Sequence, residues 1–209
     1  DLRPTKQGSL TFGYTLDGSL NFQAFANYSW DGITPLALLD PHTSAVRYLI
    51  DNAETKYNVG LQNSYFFHSL SFLQCYISHQ IGYTTSSVAY NGHPLNADKG
   101  LSYSASLNGT LFFNHTKTFS GNFYLNYRTP EISGAGRTSS QVYSSVSLNY
   151  SLLNEHLRLQ MGITNIASPD PRTTLTTEGN TIEVVNMSIR NMLMASVTYT
   201  FGAHLQGKQ

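Results

Sequence analysis

The chain has 209 residues, enough for one domain or part of a larger one, with 12 Lys+Arg against 12 Asp+Glu and only 11% charged residues, where an average soluble protein has roughly 25%. Ser, Thr, Asn and Gln fill the deficit, since hydrophobic residues stay at 40%, and a zero net charge with singly scattered bases argues against a nucleic-acid partner. The single cysteine, Cys75, excludes an internal disulfide and reads as a small buried apolar residue, and the lack of any apolar run of about 18 residues excludes a transmembrane helix.

Period-2 alternation dominates, and nine strands are expected from it. The first covers 10–16 and turns through Asp17-Gly18, a tight hairpin signal, into the second at 20–30. A long link at 31–45 follows; its apolar part, "DGITPLALLDP", reads as a self-packed loop, with a short helix, a partner contact or a lid as alternatives. The third strand, 57–67, meets a short junction near His68-Ser69, and the fourth, 70–84, carries apolar residues on both faces. A second long link at 85–99, with Tyr90, His93 and Asp98, leads to the fifth strand, 101–113. A short junction at His115–Lys117 opens the sixth, 119–128, where Phe119, Phe123, Leu125 and Tyr127 oppose Ser120, Asn122, Tyr124, Asn126 and Arg128. The link at 129–138 holds "SGAGR", a flexible loop without the setting of a phosphate cradle. Strands at 142–152 and 157–164 flank the short junction Asn154–His156. The longest polar excursion, 167–190 with Asp170, Arg172, Glu178 and Glu183, precedes the closing strand 192–201.

Connections that alternate short and long are the rhythm of a membrane barrel, with tight turns on the periplasmic side and long loops outside. The polar strand faces carry Ser, Thr, Asn and Gln, which suits a wet, confined lumen better than a surface in bulk water. The apolar faces end in Tyr14, Tyr28, Trp30, Tyr57, Phe67, Phe113, Phe119, Tyr127, Tyr150, Tyr199 and Phe201, as membrane-interface girdles do. The fold expected is all-β, an antiparallel transmembrane β-barrel segment over 1–202 with a periplasmic tail at 203–209. Bacterial barrels have even strand numbers, so nine strands suggest a fragment of a larger barrel. No charged start followed by an apolar run is present, so the chain reads as mature or as a piece.

Catalysis and metal binding find little support. Of His42, His68, His79, His93, His115, His156 and His204, only His79 falls within a strand, and its neighbour Ser78 points to the opposite face. No two histidines sit at metal-ligand spacing, and no cofactor is expected. The sequons at Asn27, Asn108, Asn114, Asn149 and Asn186 read as chance in an Asn/Ser/Thr-rich chain.

"DLRPTKQGSLTFGY" (residues 1–14) resembles the Asn-Pro-x-Leu-x-Pro-Glu-x-Ser stretch leading into the later barrel strands of TonB-dependent outer-membrane receptors. Leu2 and Pro4 belong to its middle, Ser9 matches its Ser, and Thr5 replaces the usual Glu. "YLIDNAETKYNVGLQNSYFF" (48–67) is similar to that family's Asn…Gly-Leu-Glu strand, with Asn52, Gly60 and Leu61 in place and Gln62 where Glu is common. "LRLQMGITNIA" (157–167) and "SVTYTFG" (196–202) resemble its last two strands. The resemblance covers essentially the whole chain and is nearest to the Bacteroidetes-type β-barrel members. It implies the final portion of a 22-stranded barrel in the bacterial outer membrane, which acts in nutrient uptake and is not an enzyme. It also implies Tyr199 and Phe201 as the assembly signal read by the barrel-assembly machinery, and a plug domain and a surface lipoprotein as further partners. A complete small barrel of eight to ten strands, acting as a pore or structural protein, is the alternative; a barrel enzyme is the third.

Overall fold

The computed structural model describes residues 2–39, 46–91, 93–133, 136–166, 168–177 and 180–201. Its strands, in chain order, begin with β1 (Lys6–Leu16), β2 (Leu20–Leu39), β3 (Val46–Leu70), β4 (Leu73–Tyr90) and β5 (His93–Phe112). They continue with β6 (Phe119–Arg128), β7 (Glu131–Ser133), β8 (Gly136–Thr138), β9 (Gln141–Leu152) and β10 (Leu157–Thr164). The last three are β11 (Arg172–Thr177), β12 (Asn180–Val185) and β13 (Met192–Tyr199). Nine form one sheet in the order β1-β2-β3-β4-β5-β6-β9-β10-β13, with every pair antiparallel. These are the nine strands that the alternation marks. The edges β1 and β13 pair with no further strand among the described residues.

Register converts the alternation into two chemically distinct faces. One row of directly opposed residues runs Phe12, Ala24, Leu61, Ile81, Tyr103. The neighbouring row, on the other face, runs Gln23, Gln62, Gln80, Ser104, Arg128, Gln141. A slip of one residue in any strand would exchange its set between faces, so the contrast itself fixes the register. The first hairpin is held by Asp17 (φ 48°) and Gly18 (φ 64°), the two left-handed residues of a type I′ turn. The second short turn lies at 71–72 rather than at His68-Ser69, because pairing resumes at Leu70 opposite Leu73 after an irregularity at Phe67.

Two cross-strand glycines seat aromatic rings. A Cβ on Gly60 would lie 2.7 Å from Phe25 Cζ and 2.8 Å from Gly82 Cα, and against the Ile81 carbonyl oxygen. On the opposite face a Cβ on Gly109 would lie 2.5 Å from Phe123 Cζ and 2.6 Å from the Gln74 carbonyl oxygen. Phe25 opposes Gly60, and Phe123 opposes Gly109, so each ring covers the backbone its partner leaves bare.

All four long links depart from the loop expectation. Residues 31–39 continue β2, neither loop nor helix, and β3 begins at Val46. Residues 85–90 and 93–99 extend β4 and β5 into a tall hairpin. The link at 129–138 contains β7 and β8, and 167–190 contains β11 and β12, which together form a second sheet in the order β12-β11-β8-β7. Of "SGAGR", Ser133, Gly136 and Arg137 are therefore strand residues. The continuation of β2 passes through a bulge between Ser29 and Gly32, where Asp31 takes φ 54°. The extra residue reverses the alternation, so Thr34 and Leu36 turn inward and are buried.

The bulge is clamped from two directions. Asn52 Nδ2 donates to the Asp31 and Arg3 carbonyl oxygens, both at 2.7 Å, while Arg3 N donates to Asn52 Oδ1 at 2.6 Å. Arg3 and Lys6 also reach the Asp31 carboxylate at 3.5 and 3.8 Å. The stretches that carry the family resemblance near the N-terminus and around Asn52 thus meet in space.

Candidate functional site

The second sheet lies against the polar face of the first. A Cβ on Gly100 would sit 3.1 Å from Ile132 Cδ1, and the Arg137 guanidinium donates to both Asp98 oxygens at 3.2 Å. β7 packs on β4 and β5, and β11 packs on β2 and β5. Ile132, Leu36 and Val88 are buried at this seam, and Val88 is only 2% exposed. The main sheet gains a lining here, at the end away from the short turns.

Below that lining is a cavity of about 180 Å³ between the polar wall and β7. Its wall comes from three strands: Lys56 and Asn58 on β3, Gln80 and Thr84 on β4, Ser102 and Ser104 on β5. Arg128 closes one side from the end of β6, and Thr129, Glu131 and Ile132 form the roof. The register explains the convergence. Gln80, Ser104 and Arg128 form one cross-strand row, and Asn58, Thr84 and Gly100 another, with Gly60, Gly82 and Ser102 between them. The space over the glycines is filled: the Phe25 ring lies over Gly60, and Asn58 Oδ1 and Ser102 Oγ lie over Gly82.

The polar groups here are incompletely paired. Asn58 Oδ1 is shielded from solvent and accepts no hydrogen bond. Among the described residues neither Lys56 nor Arg128 has a carboxylate within 4.0 Å, and Glu131 has no cation within that distance. Ser102 Oγ donates to the Gly82 carbonyl oxygen at 3.3 Å. Two cations, one carboxylate and several neutral donors and acceptors therefore face one small space, a combination suited to holding a polar ligand.

Sequence reasoning passed over Lys56, Asn58 and Glu131, and counted Arg128 only as one residue of a polar face. The signal available was Arg128, the one charged residue of β6. The charges of the 167–190 link pair within that link. Arg190 pairs with Asp170 at 2.9 Å, and Arg172 with Glu183 at 3.2 Å. Asp98 is taken by Arg137. His42, His204, Glu178 and the tail 203–209 lie outside the described residues. His79 Nε2 accepts from Asn63 Nδ2 at 3.2 Å on the apolar face, whereas Ser78 Oγ lies 2.7 Å from Ser106 Oγ on the polar one.

The aromatic residues expected at the membrane interface fall at the two ends of the apolar face. Tyr28 opposes Tyr57, and its ring lies 5.3 Å from Trp30, at the end of the long hairpins. Tyr127 sits at the same end of β6, 6.4 Å from Tyr103. Tyr14, Phe67, Phe113, Phe119 and Tyr150 gather at the short-turn end, with Phe113–Phe119 at 4.7 Å and Phe119–Tyr150 at 5.8 Å. Tyr199 and Phe201 pack edge to face at 4.6 Å at that end. From Tyr57 to Phe67 is ten residues, roughly 33 Å of strand, which a tilt of about 40° turns into about 25 Å of height. That is the height of the apolar band on an outer-membrane barrel. Between the rings the face is Leu10, Leu61, Ile77, Leu125, Leu148 and Met161, all exposed, a continuous apolar surface with no water-soluble purpose.

No curated protein and no solved structure matches this chain at a significant level. The model of one protein family, described as the outer membrane protein beta-barrel family, matches residues 1–199. With two chemically opposite faces, aromatic rings at both ends of the apolar one and a family match over nearly its whole length, the chain belongs to the outer membrane protein beta-barrel family and is an integral protein of the outer membrane.

Proposed function

We propose that this chain forms the C-terminal part of the barrel of a TonB-dependent receptor-like transporter that takes a nutrient across the outer membrane. The observation that carries this reading is the state of the sheet edges. Nine antiparallel strands place β1 and β13 in the same direction, so joining them would require a parallel pair, whereas bacterial single-chain barrels have even strand numbers. An edge left open in lipid strands its backbone N–H and C=O groups, each at a cost of several kcal/mol. Further strands between β13 and β1 remove both difficulties. The polar wall and the inward-folded second sheet then line the passage, and short turns face the periplasm while the long hairpins face outside.

Within this reading the outward pair Tyr199–Phe201 is the signal for the barrel-assembly machinery. A plug domain fills the lumen, and a surface lipoprotein meets the long hairpins. The runner-up is a complete small barrel acting as a pore. Intact mass of the gene product extracted under denaturing conditions from native outer membranes separates the two. A mass far above 23.2 kDa, together with solute uptake that stops when the inner-membrane proton gradient is collapsed, supports the receptor. A mass near that value would overturn it in favour of the small pore.

A further inference from the structure

We propose that the lipid-facing surface around Asn63 and His79 is a contact between two copies of the intact gene product, lying side by side in the outer membrane. The proposal does not rest on the uptake reading, because a receptor and a small pore would both turn this face to lipid. Asn63 opposes His79 across β3 and β4, in a row that continues to Phe22 on one side and Ala105 on the other. Among the described residues, no other Asn, Gln, His or charged side chain occupies the apolar face between its aromatic ends. Asn63 stands six residues along β3 from Tyr57 and four from Phe67, which puts it roughly 10 Å or more from either level of rings. His79 beside it is exposed. An ionisable side chain at such a depth points to function before packing.

The pair meets only part of its own hydrogen-bonding demand. Asn63 Nδ2 donates to His79 Nε2 at 3.2 Å, so the proton of the neutral ring sits on Nδ1. That Nδ1–H and the Asn63 Oδ1 acceptor have no partner among the described residues. No water is at hand in hydrocarbon, and polar groups left unpaired there are costly.

The unmet groups identify the occupant. An acyl chain offers neither donor nor acceptor, and a lipid headgroup stays at the level of the rings. A second copy brings one donor and one acceptor at the same depth. A two-fold axis along the membrane normal, passing between β3 and β4, sets Asn63 of each copy against His79 of the other. Each Nδ1–H then donates to Oδ1 of the partner's Asn63, so the patch is self-complementary, as a two-fold interface requires. The relief of the face permits the approach. Ala105 opposes His79, and a depression of about 460 Å³ beside the pair includes Ala24 and Ala26 in its lining. Small residues of this kind let segments embedded in lipid come close together.

The test is thiol cross-linking of the intact gene product in native outer membranes, in a Cys75→Ala background that should itself stay single. Ile81→Cys, one row from the pair on the same face, should be joined by a short bismaleimide into a species of twice the intact mass. Leu148→Cys, on the same face of β9, should stay single. Adding Asn63→Leu and His79→Leu to Ile81→Cys should lower the ratio of cross-linked to single protein by roughly tenfold or more, with heat-modifiable gel migration intact as the sign of folding. The exchange Asn63→His with His79→Asn keeps one donor and one acceptor on each copy and should restore the cross-link. An Ile81→Cys protein that stays single, a leucine variant that is joined as the parent is, or an exchange variant that stays single would each overturn the proposal. So would a cross-link to a different protein, which would assign the surface to that partner.

Discussion

Gly60→Ala tests the pairing of ring and bare backbone most directly. The new methyl carbon would fall 2.7 Å from Phe25 Cζ, 2.8 Å from Gly82 Cα and against the Ile81 carbonyl oxygen. Real Cβ atoms do not approach so closely, and two of the three obstacles are backbone. The Phe25 ring can swing away only by exposing the strand it covers, and the β3–β4 ladder must open at Gly60–Gly82. Overpacking of this kind costs about 1–3 kcal/mol. Gly8→Ala is the matched control, since a Cβ there meets nothing within 4 Å, and replacing a strand glycine by alanine gains roughly 0.5–1 kcal/mol. That gain is common to both variants, so they should differ by about 1–3 kcal/mol. With urea slopes of about 1–3 kcal/mol/M, that is a midpoint difference on the order of 1 M, read from heat-modifiable gel migration of the intact gene product in detergent. Equal midpoints for the two variants would refute the steric account.

The assignment of faces predicts that Leu61→Arg destabilises the protein in bilayers by about 2–4 kcal/mol, while the adjacent Gln62→Arg is tolerated; equal cost in urea titrations from lipid vesicles would reverse or abolish it. Asn52→Ala removes the clamp on the bulge and should cost about 1–3 kcal/mol, with faster proteolysis near Arg3 as its local sign; an unchanged digestion pattern counts against the clamp. The Asp170 carboxyl is held below its ordinary value chiefly by the Ser188 backbone N–H, with Arg190 and the Ser188 hydroxyl assisting against a desolvation effect that raises it. A depressed carboxylate stabilises above its unfolded value and loses that contribution as pH falls through the folded one. Protease resistance of residues 168–190 should thus hold from neutral to about pH 4 and fall below it, whereas Asp170→Asn should be cleaved readily across the whole range; a decline already at pH 6 would assign the effect elsewhere.

The strands were legible because lipid on one side and a wet interior on the other impose period 2 without ambiguity. Leu159 and Gln160, or Phe123 and Asn122, declare their faces by type alone. The ends of the strands were not legible. Beyond Tyr57 and Thr84 the hairpins leave the band where one face must be apolar, and Thr34, Thr84, Ser86 and Val88 are buried by the second sheet. A buried Ser86 reads as a loop residue until its acceptor is known, which is Glu54 Oε1 at 2.8 Å. The bulge at Asp31 compounds this, since it exchanges odd and even positions in mid-strand. The cavity escaped for a related reason: Lys56, Arg128 and Glu131 are remote in sequence and line one cavity only through the folding of β7 over the wall.

The second sheet has a thermodynamic consequence beyond its role as a lining. The upper parts of β2 to β5 rise past the bilayer, where lipid no longer shields their amides from exchange. What closes them to solvent is β7, β8 and β11, of which β11 lies more than a hundred residues beyond the β2 it packs on. Protection at Thr34, Ser86 and Asp98 therefore depends on the closure of the second sheet, and loss of the Arg137–Asp98 contact frees both partners at once. The outward rim should open as a single cooperative unit, distinct from the membrane-embedded ladder. Its amides would share one opening free energy although they lie on strands from opposite halves of the sequence.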